Sequence, residues 1–190
     1  MSAKRCWGEK EELSKNYHDL EWGVPVHDDT VLFEFLILEG AQAGLNWMTI
    51  LKRREGYRRA FNGFDYNKIA KYDQKDAERL LQDEGIIRNK LKVAATIQNA
   101  KVFLDIRKEF GTFDKYIWGF VDNKPINKNP KTWKEVHPTT EVSDAISKDL
   151  KKRGMKFVGS TIIYAFMQAV GMVNDHLVEC FRHKEIVESY

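Results

Sequence analysis

The sequence predicts an all-α fold, and three observations support this prediction. Apolar residues recur mainly at the three- and four-residue spacing of amphipathic helices, and strict alternation is almost absent. Candidate capping residues and glycines bound the periodic segments. The 190 residues, 43% of them hydrophobic, can bury one substantial core but are too few for independent modules. We therefore expect one domain over residues 1–190, with strands at most minor.

The first helical segments have recognisable beginnings. Asp28 and Asp29 are candidate N-caps for a helix over about residues 30–43, because their carboxylates can accept hydrogen bonds from free amides of the first turn. The stretch LNWMTILKRREGYRRAF (45–61) then predicts a second amphipathic helix.

The middle of the chain also predicts amphipathic helices. Segments 73–85 and 89–111 are helical in pattern and are stopped by Gly85 and Gly111. Residues 121–140 hold three of the four prolines and several asparagines, so they predict a long surface connection.

A short glycine-bounded turn separates two further helical segments, 143–154 and 158–171. Glycines let the backbone approach a partner closely, and the amides that begin a helix carry partial positive charge, so this turn can hold a DNA phosphate. Nearby basic side chains would add salt-sensitive attraction. The residues concerned are Gly154, Gly159, Lys151, Lys152, Arg153 and Lys156. The alternative is an ordinary helix end followed by an ordinary helix start.

The overall charge does not decide between a DNA-binding protein and an ordinary enzyme, because a net charge of +3 is only mildly basic. The longest apolar run contains charged residues, and the N-terminus lacks the hydrophobic core of a signal peptide. We therefore expect no membrane partner and a cytoplasmic location. In that reducing compartment the two cysteines favour metal ligation or free thiols over a disulfide.

Cysteine and histidine residues near the two ends of the chain predict a metal site. His176 and Cys180 are four residues apart, which on a helix places both side chains on one face. A tetrahedral zinc ion takes four nitrogen or sulfur ligands, and the full set would be Cys6, His18, His176 and Cys180. One structural zinc ion would then join the terminal segments, about 6–22 and 172–182. The alternative ligands are His27, His137 and His183, and a histidine beside aromatic residues is also often a packing residue.

Glu39 and Gln42 interrupt an apolar helix face. If residues 30–46 are helical, both lie on the stripe that otherwise packs into the core, whereas Glu34 points elsewhere. An unpaired buried carboxylate costs several kcal/mol, so this stripe favours a pocket or a lobe interface over simple packing. Partial exposure at a helix end is the alternative. The aromatic residues that can wall such a pocket are Tyr17, Trp22 and Trp47.

Six blocks of sequence together resemble one enzyme family. They are RC near the start, YHDLEWGVP, LFEFLILEGAQAGLNWMTILKRRE, GIIR, SKDLKKRGMKFVGSTIIYAFMQAVGMVNDH and HLVEC. The blocks are collinear and cover nearly the whole chain. They resemble 3-methyladenine DNA glycosylase I, a bacterial alkylation-repair family of the helix-hairpin-helix superfamily.

The resemblance implies a helix-hairpin-helix glycosylase fold of two lobes, with the hairpin element at about 143–171. It also implies a monomer that flips a nucleotide out of double-stranded alkylated DNA and hydrolytically excises 3-methyladenine. The products would be the free base and an abasic site, without a lyase step. Two other classes are a non-catalytic, zinc-stapled DNA-binding module and a helical enzyme acting on a free nucleobase or nucleoside.

Site residues follow from the resemblance position by position. Glu39 would hold the alkylated base, with Tyr17 and Trp47 stacking on it. The further pocket residues would be Trp22, Gln42 and Trp7, although the chain is one residue shorter than the family between the first cysteine and His18. The zinc ligands would be Cys6, His18, His176 and Cys180, and the DNA-anchoring turn would use Gly154, Lys156, Gly159 and Lys152.

Asp175 is a second candidate catalytic carboxylate. It follows the turn at the place where other helix-hairpin-helix glycosylases keep a catalytic aspartate. Because Asp175 is adjacent to His176, we expect it to orient that ligand, since metal-bound histidines commonly donate their second N–H to a carboxylate. Glu39 is therefore the preferred carboxylate for the chemistry.

Overall fold

The computed structural model describes residues 4–189, so residues 1–3 and 190 of the predicted domain lie outside it. The prediction of a mostly helical fold is confirmed. The helices are α1 (Glu12–Leu20), α2 (Asp29–Gln42), α3 (Trp47–Leu51), α4 (Arg54–Ala60), α5 (Tyr66–Ile69), α6 (Gln74–Gln82), α7 (Lys90–Phe110), α8 (Phe113–Trp118), α9 (Glu141–Lys152), α10 (Ser160–Ala169) and α11 (Phe181–Val187). Two short strands, β1 (Ile126–Asn127) and β2 (Val173–Asn174), pair in parallel. Within residues 4–189, no helix has the length and apolar character needed to cross a bilayer.

Helix α2 is the centre of the core. The Asp28 side chain accepts hydrogen bonds from the amides of Thr30 and Val31, which confirms the predicted N-cap. Every residue over 32–41 is buried, so this helix is enclosed on all sides. The sequence predicted one buried face for this helix, whereas the structure buries all of its faces. Helices α3, α7, α8 and α10 pack around it.

The predicted continuous helix over 45–61 is wrong, because the chain forms α3 and α4 with a break at residues 52–53. The break turns Arg54 inward against Glu34, at 2.5 Å between Nε and Oε1. It also brings Gly56 onto the backbone of Gly85, where an added Cβ would lie 2.2 Å from the carbonyl oxygen. Gly56 is thus the glycine that this close approach requires, and the predicted stop at Gly85 lies beyond the end of α6 at Gln82.

The connection over 121–140 does more than cross the surface. Strand β1 pairs with β2, and the amide of Val178 donates to the carbonyl of Pro130 at 2.9 Å. These bonds attach the connection to the C-terminal segment. They also carry Trp133 to the neighbourhood of Cys6, whose carbonyl accepts a hydrogen bond from the indole Nε1 at 3.2 Å.

Helices α9 and α10 pack against each other and are joined by the turn 153–159, and we call this unit the α9–α10 hairpin. Gly154 has φ +102° and ends α9, while the amide of Met155 donates back to the Leu150 carbonyl at 3.0 Å. The side chain of Asn99 on α7 holds the turn through two hydrogen bonds to the backbone of Lys156, at 2.8 and 2.9 Å. The positive φ of Gly154 therefore explains this glycine as the end of α9, without any contact with DNA.

Candidate active site and metal cluster

The four predicted metal ligands lie together although they are far apart in the chain. Their donor atoms are all within 4.8 Å of one another. Cys6 lies in the loop before α1, His18 in α1, His176 in the loop after β2, and Cys180 at the N-cap of α11. The helix predicted across His176 and Cys180 is wrong, because β2 and the bond between Val178 and Pro130 hold this segment in a loop.

The spacing of the donor atoms fits a tetrahedral metal ion. The sulfur of Cys6 is 3.3 Å from Nε2 of His18 and 3.5 Å from Nδ1 of His176, and the sulfur of Cys180 is 3.4 and 3.5 Å from the same two nitrogens. In a regular tetrahedron, zinc–sulfur and zinc–nitrogen bonds of about 2.3 and 2.0 Å place sulfur and nitrogen about 3.5 Å apart. The hydrogen bond between the two thiols lowers the pKa of Cys180 and raises that of Cys6, so Cys180 is the thiol that is held as the thiolate form that binds metals.

Hydrogen bonds outside the cluster turn the correct nitrogen of each histidine inward. His18 Nδ1 pairs with Asp19 Oδ1 at 2.8 Å, and His176 Nε2 donates to the Trp22 carbonyl at 3.0 Å. The remaining nitrogen of each ring therefore presents its lone pair to the two thiols. The cluster contains none of the three alternative histidines.

Asp175 does not orient a ligand of the cluster, so that prediction is wrong. Its Oδ2 accepts hydrogen bonds from the Tyr164 hydroxyl at 2.6 Å and from Gln168 Nε2 at 3.0 Å. The carboxylate that contacts a ligand is Asp19, which Arg5 holds through two nitrogens. Adjacency in sequence was misleading because the side chains of Asp175 and His176 leave the loop in different directions.

A cleft of about 380 Å³ lies beside the cluster, and we call it the aromatic cleft. It brings together all six predicted pocket residues with three others, and its lining is Trp7, Tyr17, Trp22, Glu39, Gln42, Trp47, Trp133, Ala165 and Gln168. Five of the nine are aromatic, so the cleft offers both π faces and a small number of polar groups.

Glu39 is the buried acid of the aromatic cleft. It is 5% exposed, and burial raises the pKa of its carboxyl to about 8. Among residues 4–189 its side chain has no hydrogen-bond partner within the protein. Glu34, one turn earlier, is equally buried but is neutralised by Arg54 and Arg58. Of these two buried acids, Glu39 is therefore the one that no basic side chain neutralises.

Aromatic rings in two perpendicular or tilted pairs form the walls. Trp7 meets Trp22 edge-on with ring centroids 5.2 Å apart, and Tyr17 lies 5.2 Å from Trp47 at 44°. Trp7 reaches the wall despite the short interval before His18, because Gly8 has φ +88° and turns the chain sharply. Burial, and to a smaller extent Glu39, raises the pKa of the Tyr17 phenol well above its usual value. The phenol is therefore neutral, so its hydroxyl can donate a hydrogen bond and its ring can stack on a ligand.

Sequence reasoning missed Trp133 and Gln168. Trp133 is 42% exposed and lies at the cleft rim, 6.4 Å from Trp22 between centroids. The sequence signal that could have identified Trp133 is its position as a single tryptophan in a polar, proline-rich connection, where a large exposed apolar side chain often marks a binding surface. Gln168 is the one amide in the apolar stretch YAFMQAVG, a pattern similar to that of Glu39 and Gln42 on α2.

The aromatic cleft continues toward the α9–α10 hairpin. A second cavity shares Glu39, Gln42 and Ala165 with the cleft and extends to Thr161 and Ile162 in the first turn of α10. A Cβ added at Gly159 would meet nothing within 4 Å, so a partner can approach the helix start closely.

The basic residues of the hairpin divide into two groups. Lys152 and Lys156 are exposed. Arg153 is ion-paired with Asp149 and Glu109, both at 2.6 Å, so these carboxylates offset its charge, and its contribution to DNA attraction stays a prediction.

Comparison with known proteins places the chain in a family. The family model for methyladenine glycosylase matches residues 7–183. DNA-3-methyladenine glycosylase 1 of Escherichia coli (strain K12) is 49% identical over 178 residues, which are 93% of this chain and 95% of that protein.

Solved structures give the same result. The crystal structure of a 3-methyladenine DNA glycosylase I superposes with a TM-score of 0.91 at 48% identity, covering 94% of this chain and 98% of the other. A variant of 3-methyladenine DNA glycosylase I in complex with 3-methyladenine superposes with a TM-score of 0.89 at 34% identity, covering 92% and 94%. The chain belongs to the methyladenine glycosylase family.

Proposed function

We propose that this protein excises 3-methyladenine from alkylated double-stranded DNA by hydrolysis, releasing the free base and leaving an abasic site. Membership of the family and the names of its relatives support this reaction. The observation that carries it is Glu39, a buried carboxyl without a protein partner in a cleft walled by five aromatic side chains.

The residues of the aromatic cleft suit a flipped, positively charged base. A base inside a duplex cannot reach a cleft, so the nucleotide must leave the stack. Methylation at N3 gives the adenine of the nucleotide a positive charge, and the faces of Tyr17 and Trp47 attract a cation. The same charge weakens the bond to the sugar, so water can replace the base at C1′ without strong acid catalysis. No lysine is needed to form a covalent intermediate, which agrees with a monofunctional enzyme.

Glu39 would change its charge when the lesion enters. With a pKa of about 8, the empty cleft holds a neutral carboxylic acid at pH 7. A cation in contact lowers the pKa of a neighbouring carboxyl, so the lesion would enter as Glu39 releases its proton. The carboxylate would then face the cationic base and accept from its exocyclic amine. The same pocket is less suited to an undamaged, neutral adenine.

We assign DNA anchoring to the α9–α10 hairpin, acting as the helix-hairpin-helix element of a two-lobed domain. Its open helix start beside Gly159 and the exposed Lys152 and Lys156 suit phosphate contacts, which position DNA without reading its sequence. The cavity between the aromatic cleft and the start of α10 provides room for the nucleotide between the two sites.

We assign a structural zinc ion to Cys6, His18, His176 and Cys180. When bound, such an ion supplies a fixed link between chain segments, because four protein ligands leave no position for water. Asp19 and the Trp22 carbonyl would orient the two histidines toward it. Since Trp7 and Trp22 neighbour these ligands, the link would also steady one wall of the aromatic cleft. We expect the protein to act as a cytoplasmic monomer.

Incubation with methylated duplex DNA tests the proposal. We expect release of free 3-methyladenine and alkali-sensitive abasic sites, with release decreasing as salt rises. A non-catalytic DNA-binding module would bind the duplex and release nothing. An enzyme for free nucleosides would act without duplex and without salt dependence. Either result from folded, metal-loaded protein would overturn the proposal.

A further inference from the structure

Lys92, in the first turn of α7, holds the end of α2 from outside that helix. Its Nζ donates hydrogen bonds to the carbonyls of Ala41 and Ala43, both at 2.7 Å. Carbonyls at the end of a helix lack partners within the helix and carry partial negative charge, so a cation that donates to two of them stabilises this end. The last turn of α2, residues 39–42, contains no basic side chain of its own. Lys92 supplies the cation from a position 51 residues after Ala41.

The chain turns out of α2 at the second of these carbonyls. We call residues 43–46 the α2–α3 loop. Ala43 leaves the helical conformation with ψ 118°, and its amide donates to the Gly40 carbonyl at 3.3 Å, which is long for a hydrogen bond. The bond from Lys92 to the Ala43 carbonyl is shorter and has a charged donor, so it is the stronger restraint on the start of the loop.

The α2–α3 loop borders the cavity that joins the aromatic cleft to the first turn of α10. The residues of the loop and of α10 in its lining are Ala43, Gly44, Leu45, Thr161, Ile162 and Ala165. A Cβ added at Gly44 would meet nothing within 4 Å, and Leu45 is 40% exposed, so the loop leaves open space around it. A nucleotide that leaves the duplex for the cleft would use this cavity, and the loop would form one side of its path.

We propose that Lys92 is a positioning residue for the extrusion of the damaged nucleotide and acts through the α2–α3 loop. The inference rests on the proposed function and adds a residue that shapes the path of the nucleotide. A loop that is already fixed need not be ordered each time a nucleotide passes it. Lys92 itself is not one of the nine residues that line the aromatic cleft, so it acts on the path and not on the base.

Two measurements on Lys92→Met test the inference. This substitution keeps the aliphatic length of the side chain and removes its charge and its donors. The single-turnover rate of 3-methyladenine release from methylated duplex DNA should fall about tenfold or more, because misplacement of about 1 Å near a substrate can cost about a hundredfold. The affinity for free 3-methyladenine should match that of wild type, because a free base does not have to leave a duplex.

Lys101→Met is the matched control. Lys101 is exposed on the same helix, and its substitution removes the same charge without touching α2, so release from duplex DNA should match wild type. Melting temperature and metal content are recorded for each variant, and rates are measured well below the melting temperature. If Lys92→Met does not fold, Lys92→Gln, whose amide is too short to reach both carbonyls, should lower the release rate in its place.

Release at the wild-type rate by folded Lys92→Met would overturn the inference. An equal loss of affinity for the free base would also overturn it, since that result would mark a general disturbance of the cleft, and so would an equal loss of rate in Lys101→Met. Wild-type protein that releases no 3-methyladenine would overturn the proposed function itself. Wild-type release combined with an unchanged rate in the variant would overturn only the inference about Lys92.

Discussion

Glu39→Gln should change how stability depends on pH, because the native state binds a proton at Glu39 that the unfolded chain does not. The pKa of the carboxyl rises from 4.5 to about 8 on burial. Between these two values the folded protein holds more protons, so the free energy of unfolding falls as pH rises. Each pH unit in this window is worth about 1.4 kcal/mol, so the loss between about pH 5 and about pH 7 is about 3 kcal/mol.

Urea unfolding of metal-loaded wild type and Glu39→Gln at several pH values measures this effect. The amide does not titrate, so the variant should gain about 3 kcal/mol relative to wild type over the same interval, whatever its absolute stability. Glu12→Gln is the control, because the Glu12 side chain is 74% exposed and its substitution should leave the wild-type slope unchanged. Parallel curves for wild type and Glu39→Gln would refute the argument that the carboxyl is buried without a partner.

Three further predictions concern the metal cluster and the hairpin. Cys6→Ser should bind less than one zinc per chain and unfold at a lower temperature, as metal analysis and calorimetry would report; full zinc content would contradict the ligand assignment. Joint Lys152→Ala and Lys156→Ala substitution should reduce the slope of log affinity against log salt by about two for any duplex, whereas Lys68→Ala on α5 should leave it unchanged. Asn99→Ala removes both hydrogen bonds that hold the hairpin turn, so it should lower the free energy of unfolding by about 2 kcal/mol and weaken duplex binding. Unaltered duplex binding by this variant would show that the turn does not contact DNA.

Local signals predicted the long helices well. The cap at Asp28 and the stop at Gly111 act within one turn of the chain, so they can be recognised without knowledge of the tertiary structure. The metal cluster could be predicted for a different reason. A tetrahedral ion requires a fixed number of sulfur and nitrogen ligands, and the chain has only two cysteines.

The remaining features depend on contacts between distant segments. Nothing local ends the helical pattern at residues 52–53, where the ion pair of Arg54 with Glu34 and the contact of Gly56 with Gly85 redirect the chain. The loop that carries His176 is held by pairing with β1, almost fifty residues earlier, so its four-residue spacing falsely suggested a helix.

The aromatic cleft could be predicted only in part, for the same physical reason. Glu39 and Gln42 break an apolar stripe on one helix, a signal contained in the local sequence. Trp133 reaches the cleft through a connection whose path is set by β1 and by its bond to Cys6. The amide orientation of Gln168 depends on Asp175, which sequence reasoning assigned to the neighbouring metal ligand.

The most direct test of the central claim is the single-turnover rate of 3-methyladenine release by Glu39→Ala. The claim is that the unpartnered carboxyl of Glu39 holds the cationic base in the aromatic cleft. We expect the rate to fall by about a hundredfold or more, as when an electrostatic group is removed from other active sites, with zinc content and fold unchanged. Release at the wild-type rate by folded, zinc-loaded Glu39→Ala would contradict the account.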